Sequence, residues 1–170
     1  DLLLLARLDE GQELVYGTSD LSRLVVEAVG DAQVAAPDHG WSIDVDDEPV
    51  QIAGDTARLH QVVANLLANA RTHTPAGTHV TASVTREGSD AVIRVHDDGP
   101  GIDPALQAEL FQRFSRGDTS RARQTGGSGL GLSIVRAIVE AHDGTISMRS
   151  VPGDTEFEVR LPAKPRDPEV

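Results

Sequence analysis

The sequence contains no cysteine, one lysine (Lys164), one Trp, one Tyr and three Phe. Without cysteine there are no disulfides and no thiolate metal sites. With so few aromatics, the core of any fold must come from Leu, Val, Ile and Ala. A P-loop needs a lysine beside Ser/Thr in the phosphate-binding turn, and a lone lysine near the C-terminus rules that motif out. No apolar run approaches the ~20 residues of a membrane-spanning helix. Basic charge is scarce too: 15 Lys and Arg stand against 27 Asp and Glu, a net charge of −12. That balance argues against nucleic acid or an anionic membrane as a general partner. At 170 residues the chain has the length of one domain with a short appendage.

What the sequence does have is a glycine-rich stretch, Gly126-Gly127-Ser128-Gly129-Leu130-Gly131-Leu132, followed by a helix-like run over Ser133–Ala141. Glycines at alternate positions let backbone N–H groups approach a bulky anion at the positive end of a helix. A flexible linker would carry serines where Leu130 and Leu132 stand, so the spacing favours a phosphate cradle. The dinucleotide-binding fingerprint does not fit, because a polar, Arg-rich segment precedes Gly126 where that motif needs an apolar strand.

The rest of the chain supplies a scaffold. Asp1–Leu8 is apolar nearly all round and too short to stand alone as a helix in water; Gly11–Ser19 reads as a polar connector. Asp20 can cap a helix with Leu21, Leu24, Val25, Ala28, Val29 and Ala32 at helical spacing, broken at Pro37–Gly40. Two short strands, Trp41–Val45 and Val50–Ala53, flank the acidic turn Asp46-Asp47-Glu48. Asp55 can cap a second helix with the stripe Leu59, Val62, Val63, Leu66, Leu67 and Ala70, and Asn65 and Asn69 fall side by side at its edge. Thr78–Arg86 and Ala91–His96 alternate as a hairpin. The second strand runs into Asp97-Asp98-Gly99-Pro100-Gly101-Ile102, which taken alone is an ordinary Asp/Gly turn. Pro104–Phe111 reads as a short helix, and 115–126 as a locally basic loop holding Arg116, Arg121 and Arg123. A last hairpin pairs Thr145–Val151 with Thr155–Leu161, and Pro162–Val170 reads as a frayed tail.

Four segments together are more specific than any one. Asn65-Leu66-Leu67-Ala68-Asn69 resembles the N box of two-component sensor histidine kinases, and Asp97–Ile102 resembles their first glycine box. Leu110-Phe111-Gln112-Arg113-Phe114 is similar to the F box, and Gly127–Leu132 to the second glycine box. The resemblance covers Leu21 to about Leu161. It implies the ATP-binding catalytic domain of that family, in the gyrase/Hsp90/histidine kinase/MutL superfamily. The implied fold is α+β, a two-layer α/β sandwich of Bergerat type with helices on one face of a mixed sheet. Residues 1–17 would end a dimerisation hairpin, 18–162 would form the catalytic domain and 163–170 the tail.

The same resemblance implies roles. Asn69 would bind Mg²⁺ and Asn65 would face the phosphates. Asp97 would accept from the adenine amino group, in a pocket shaped by Gly99, Gly101 and Ile102, with His73, Phe114 and Thr155 contributing. Residues 115–126 would be the ATP lid, and Arg113 and Arg116 would neutralise charge on the γ-phosphate. Gly127, Ser128, Gly129, Leu130, Gly131 and Leu132 would wrap the triphosphate. ATP and Mg²⁺ are thus the implied cofactors. The implied setting is the cytoplasmic part of a membrane-anchored, homodimeric bacterial sensor that serves a response regulator, with a monomeric catalytic fragment.

There are departures. Family members often carry Lys or Arg where Thr72 stands, and Arg71 one place earlier points about 100° away on a helix. His73 replaces a frequent Tyr, Asp98 a usual Asn, and Asp143 interrupts a frequent His-Gly-Gly. None of His39, His60, His73, His79, His96 or His142 has the acid and proline context of the phosphoacceptor histidine, so that group is expected on a dimerisation domain outside this sequence. Two other functions stay open: a clamp ATPase of the same superfamily, which would need a glutamate base at position 65, and a non-catalytic nucleotide-binding regulatory module.

Overall fold

The computed structural model describes residues 14–109 and 128–163. Strand β1 (Gly17–Asp20) leads into helix α1 (Leu21–Ala35), followed by β2 (Gly40–Val45), β3 (Gln51–Gly54) and helix α2 (Thr56–Thr72). Strands β4 (His79–Glu87) and β5 (Asp90–Asp97) form a hairpin, residues 104–109 are helical, and helix α3 spans Ser128–Ala141. Strands β6 (Thr145–Val151) and β7 (Asp154–Pro162) complete the chain.

Five strands form one mixed sheet in the order β2-β4-β5-β7-β6, with β2 parallel to β4 and every other pair antiparallel. The three long helices pack on one face. Alternation decides that face: Val80, Ala82 and Val84 of β4, Ala91, Ile93 and Val95 of β5, and Phe157, Val159 and Leu161 of β7 are all buried. Against them lie the apolar stripes of α1 (Leu21, Leu24, Val25, Ala28, Val29), α2 (Leu59, Val62, Val63, Leu66, Leu67) and α3 (Ile134, Val135, Ile138, Val139). Each fully buried Leu, Ile or Val contributes roughly 1.5–3 kcal/mol, which is how a core nearly free of aromatics holds together. The other face of the sheet is an ion-pair ladder in which Arg94 bridges Glu87 and Glu158, and Arg149 bridges Asp154 and Glu156.

Both expected helix caps form. Asp20 Oδ1 accepts from the Arg23 N–H at 3.0 Å, and Asp55 Oδ1 accepts from the Arg58 N–H at 3.3 Å. Two expectations are corrected. The connector read over Gly11–Ser19 contains β1, which pairs antiparallel with β3. The strands on either side of the acidic turn therefore do not pair with each other; β2 joins the main sheet and β3 the two-stranded one. Pro162, read as the start of a frayed tail, belongs to β7, and Ala163 is held by main-chain hydrogen bonds to Ala53 and Ser89; residues 164–170 lie outside the described residues. No helix among the described residues is long and apolar enough to cross a membrane.

Candidate functional site

The end of α2, the turn after β5 and the start of β7 converge on one pocket. It is lined by Asn69, Ala70, His73, Thr74, Asp97, Gly101, Ile102, Thr155 and Phe157. Six of these nine positions are ones the sequence had singled out. Asn69, His73, Asp97, Gly101, Ile102 and Thr155 come from three segments up to 86 residues apart, brought together because β5 pairs with β7 so that Asp97 lies opposite Thr155.

Asp97 is the buried acid of the site, at 6% exposure. Burial raises its carboxyl above the ordinary range, the nearby Asp98 and Asp154 carboxylates add to this, and the Gly99 N–H and His96 work against it. The Gly99 N–H donates to Asp97 Oδ1 at 3.0 Å, which leaves Oδ2 as the acceptor for an incoming donor. Both glycines of the turn are required. A Cβ on Gly99 would lie 2.7 Å from the Thr74 methyl, and Gly101 has φ +87°, where an added Cβ would lie 3.0 Å from the Val151–Pro152 backbone. The Ile102 N–H donates to Ser150 Oγ at 2.8 Å, and that hydroxyl is 2.6 Å from Thr155 Oγ1, so the turn is pinned to the β6–β7 hairpin.

Asn69 is 8% exposed, and its Oδ1 is buried without a hydrogen-bond partner among the described residues. An unpaired buried amide carbonyl costs about 1–3 kcal/mol, so the fold keeps it against a penalty. One turn earlier, Asn65 is half-buried, and its Nδ2 approaches the Gly131 carbonyl at 3.5 Å. That contact joins the helix bearing both asparagines to the second glycine box. A Cβ added at Gly131 would meet nothing within 4 Å among the described residues, so their packing does not demand the glycine.

The glycine box itself departs from the reading as a loop. Ser128–Leu132 are the first turns of α3, so the helix starts five residues before Ser133. Interior glycine costs a helix about 1 kcal/mol, but burial of Leu132, Ile134 and Val135 on one face outweighs it. Arg113, Phe114, Arg116, Gly127 and the expected lid over 115–126 lie outside the described residues, as do the side chains of Ser128, Gly129 and Leu130.

The departures also find their places. Arg71 lines a groove between α1 and α2 with Ala28, Asp31 and Ala32, away from the pocket, and the exposed Thr72 turns its hydroxyl onto the Ala68 carbonyl at 2.7 Å. His73, exposed at the end of α2, lines the pocket beside Asn69. Asp98 Oδ1 accepts from the His79 N–H at 2.8 Å and so holds the turn to β4. Asp143 has φ +60°, the conformation that favours the glycine it replaces. Sequence reasoning missed Ala70, Thr74 and Phe157 as lining residues. Ala70 and Phe157 were absorbed into apolar stripes, and a threonine just past a helix end carries no signal of its own.

A family model described as histidine kinase-, DNA gyrase B-, and HSP90-like ATPase matches residues 54–165. The chain is 62% identical over 162 residues to the probable sensor histidine kinase TcrY of Mycobacterium tuberculosis, covering 95% of this chain and 34% of that protein. It is 50% identical to the sensor histidine kinase TrcS of the same organism, covering 95% and 33%. The chain thus spans about a third of the length of these relatives. Among solved structures, the mycobacterial sensor histidine kinase MprB superposes with a TM-score of 0.72 at 28% identity, over 89% of this chain and 99% of that one. Full-length ShkA in complex with AMPPNP superposes with a TM-score of 0.75 at 25% identity, over 95% of this chain and 34% of that one.

Proposed function

This chain belongs to the histidine kinase-, DNA gyrase B- and HSP90-like ATPase family, and we propose that it binds Mg·ATP in the pocket around Asp97 and passes the γ-phosphate to a histidine on a dimerisation domain outside this chain. The sensor-kinase resemblance and the two-layer fold drawn from the sequence are borne out at the level of the catalytic domain. The observation that carries the nucleotide reading is the pairing of two penalised groups in one pocket: a buried carboxylate at Asp97 and an orphaned carbonyl at Asn69.

Each group has a use. Asp97 Oδ2 accepts from the exocyclic amine of adenine, a donor that guanine lacks at that position. The pocket floor, Ala70, Ile102 and Phe157, covers an apolar ring face. Asn69 offers a hard, neutral oxygen, a donor type that fits Mg²⁺, and binding would satisfy the carbonyl that the fold leaves unpaired. Bound Mg²⁺ supplies charge neutralisation on the phosphates. The described residues around Gly131, at the N-terminal end of α3, leave room for the anionic tail where the helix dipole favours negative charge. AMPPNP on ShkA supports a triphosphate occupant.

Asn65 decides between kinase and clamp ATPase. An amide cannot take a proton at neutral pH, whereas a general base is typically worth ~10²–10⁴-fold in rate. ATP is therefore held without efficient attack by water until a neutral imidazole nitrogen displaces ADP from the γ-phosphorus. On this reading the domain is cytoplasmic within a membrane-anchored homodimer that serves a response regulator. The assay is phosphotransfer with labelled ATP. The chain alone stays unlabelled, and a separately supplied dimerisation domain bearing a phosphoacceptor histidine acquires acid-labile phosphate. Acid-labile label on the chain itself, or none on the supplied domain despite ATP binding, would overturn the transfer.

A further inference from the structure

We propose that His39 is a positioning residue for nucleobase selectivity, acting by locking Thr74 at the edge of the pocket. The imidazole is buried, with 6% of its side chain exposed, although His39 sits in the loop between α1 and β2 and touches no proposed ligand position. Its Nε2 lies 2.9 Å from Thr74 Oγ1, and Thr74 Oγ1 donates to the Ala70 carbonyl at 2.7 Å. A hydroxyl has one proton, and a carbonyl can only accept. The Thr74 proton is therefore committed to Ala70, and His39 must be the donor through Nε2–H.

This arrangement fixes the threonine completely. Its proton is engaged by the Ala70 carbonyl, and the lone pair facing His39 by Nε2–H. Its methyl is turned toward the turn after β5, where it comes within 2.7 Å of a Cβ placed on Gly99; that same Cβ would lie 3.0 Å from Asp97 Oδ1. Thr74, Gly99 and Asp97 thus form one packed unit, and the Gly99 N–H holds the carboxylate at 3.0 Å. His39 is anchored in turn. Its N–H donates to the Ala36 carbonyl at 3.2 Å, and its ring lies 6.1 Å from that of Trp41, whose Nε1 also donates to Ala36 O at 2.9 Å. Asp38 Oδ1 stands 3.3 Å from Nδ1, a contact that becomes a hydrogen bond only when both ring nitrogens carry protons.

The consequence concerns which polar groups a base meets. With the lock in place, the edge formed by Asp97 and Thr74 presents a carboxylate acceptor and a methyl, beside the Asn69, His73 and Thr155 side chains that also line the pocket. Without His39, only the Ala70 carbonyl still holds the hydroxyl, and the side chain is freer to turn about χ1 and offer its proton to a purine carbonyl, which guanine has and adenine lacks. The lock therefore biases the site toward adenine by withholding a competing donor.

This inference rests on the ATP-binding reading, and a double-mutant cycle in ATP and GTP dissociation constants separates the two. His39→Leu lowers the ATP-over-GTP preference by about 3–10-fold, the range one neutral hydrogen bond contributes. His39→Gln, whose amide can place a donor where Nε2 stands, keeps the preference. Thr74→Val has the methyl shape and no hydroxyl, so adding His39→Leu to it changes the preference less than twofold. If His39→Leu fails to fold, His39→Met enters the same cycle. An unchanged preference in the single His39 variant, or the same loss in the Thr74→Val background, overturns the lock. Failure of the wild type to prefer ATP at all would instead overturn the pocket reading.

Discussion

Replacing Asn69 by Ala should move stability and ligand affinity in opposite directions. In the unliganded protein, Oδ1 is buried and has no partner among the described residues, a penalty of about 1–3 kcal/mol that the substitution removes. Alanine also gains several tenths of a kcal/mol in helix propensity in the interior of α2. Against these stands the packing of a small side chain, worth roughly 1 kcal/mol. The balance is a gain of about 1 kcal/mol, or roughly 2–4 °C in Tm for a chain of this size. Leu66→Ala, a fully buried position on the same helix, should instead cost about 2–5 kcal/mol. Titration calorimetry with Mg·ATP should show the reverse ranking, with Asn69→Ala weakened by about 100-fold or more, equivalent to ~2.7 kcal/mol. Urea melts of both variants, alongside those titrations, decide the matter. Destabilisation of more than about 2 kcal/mol by Asn69→Ala would mean the amide is an ordinary paired core group and would refute the reasoning.

Asp97→Asn should stabilise the unliganded protein at neutral pH. Because burial raises the folded-state carboxyl pKa, the stability this group contributes is fully present below its unfolded value and is lost as pH rises through the folded one. The Asn variant should lack that decline, and thermal melts from pH 3 to 8 would show it; parallel curves for the two proteins would contradict the shift. The wild type should release phosphate from ATP slowly, and Asn65→Glu should raise steady-state hydrolysis by ~10²-fold or more while weakening nucleotide binding, with ordinary ATPase rates in the wild type counting against the kinase reading. His142 is buried, donating from Nδ1 to the Ile138 carbonyl at 2.8 Å and accepting at Nε2 from the Asp55 N–H at 3.0 Å. His142→Leu strands that N–H and should cost about 1–3 kcal/mol in denaturant melts.

The elements legible in the sequence were those in which a local signal and a global one agreed. Asp20 and Asp55 announce helices whose apolar stripes then pack against the sheet, and Val80, Ala82 and Val84 alternate because one face of β4 is covered. Strand β1 was hidden because Gly17-Thr18-Ser19-Asp20 has no apolar alternation; its order comes from pairing with β3 and from the buried Ser19 hydroxyl, 2.7 Å from Thr56 Oγ1. The parallel placement of β2 beside β4 was hidden for a similar reason, since adjacency across a helix-sized interval is not encoded in either strand alone. In the site, Asn69 and Asp97 were singled out by the resemblance of their segments to the N box and the first glycine box, and the structure places both on one pocket. Thr74 and His39 were not, because what matters about them is which single proton each hydrogen bond uses.

Recognition of adenine through the Asp97 carboxylate is the property on which the proposed nucleotide site turns. Its most direct test is titration of the wild type and of Asp97→Asn with ATP in the presence of Mg²⁺. One binding site in the wild type, with affinity reduced by about tenfold or more in a variant that melts no lower, is the predicted result. Equal affinity in the two proteins would contradict it.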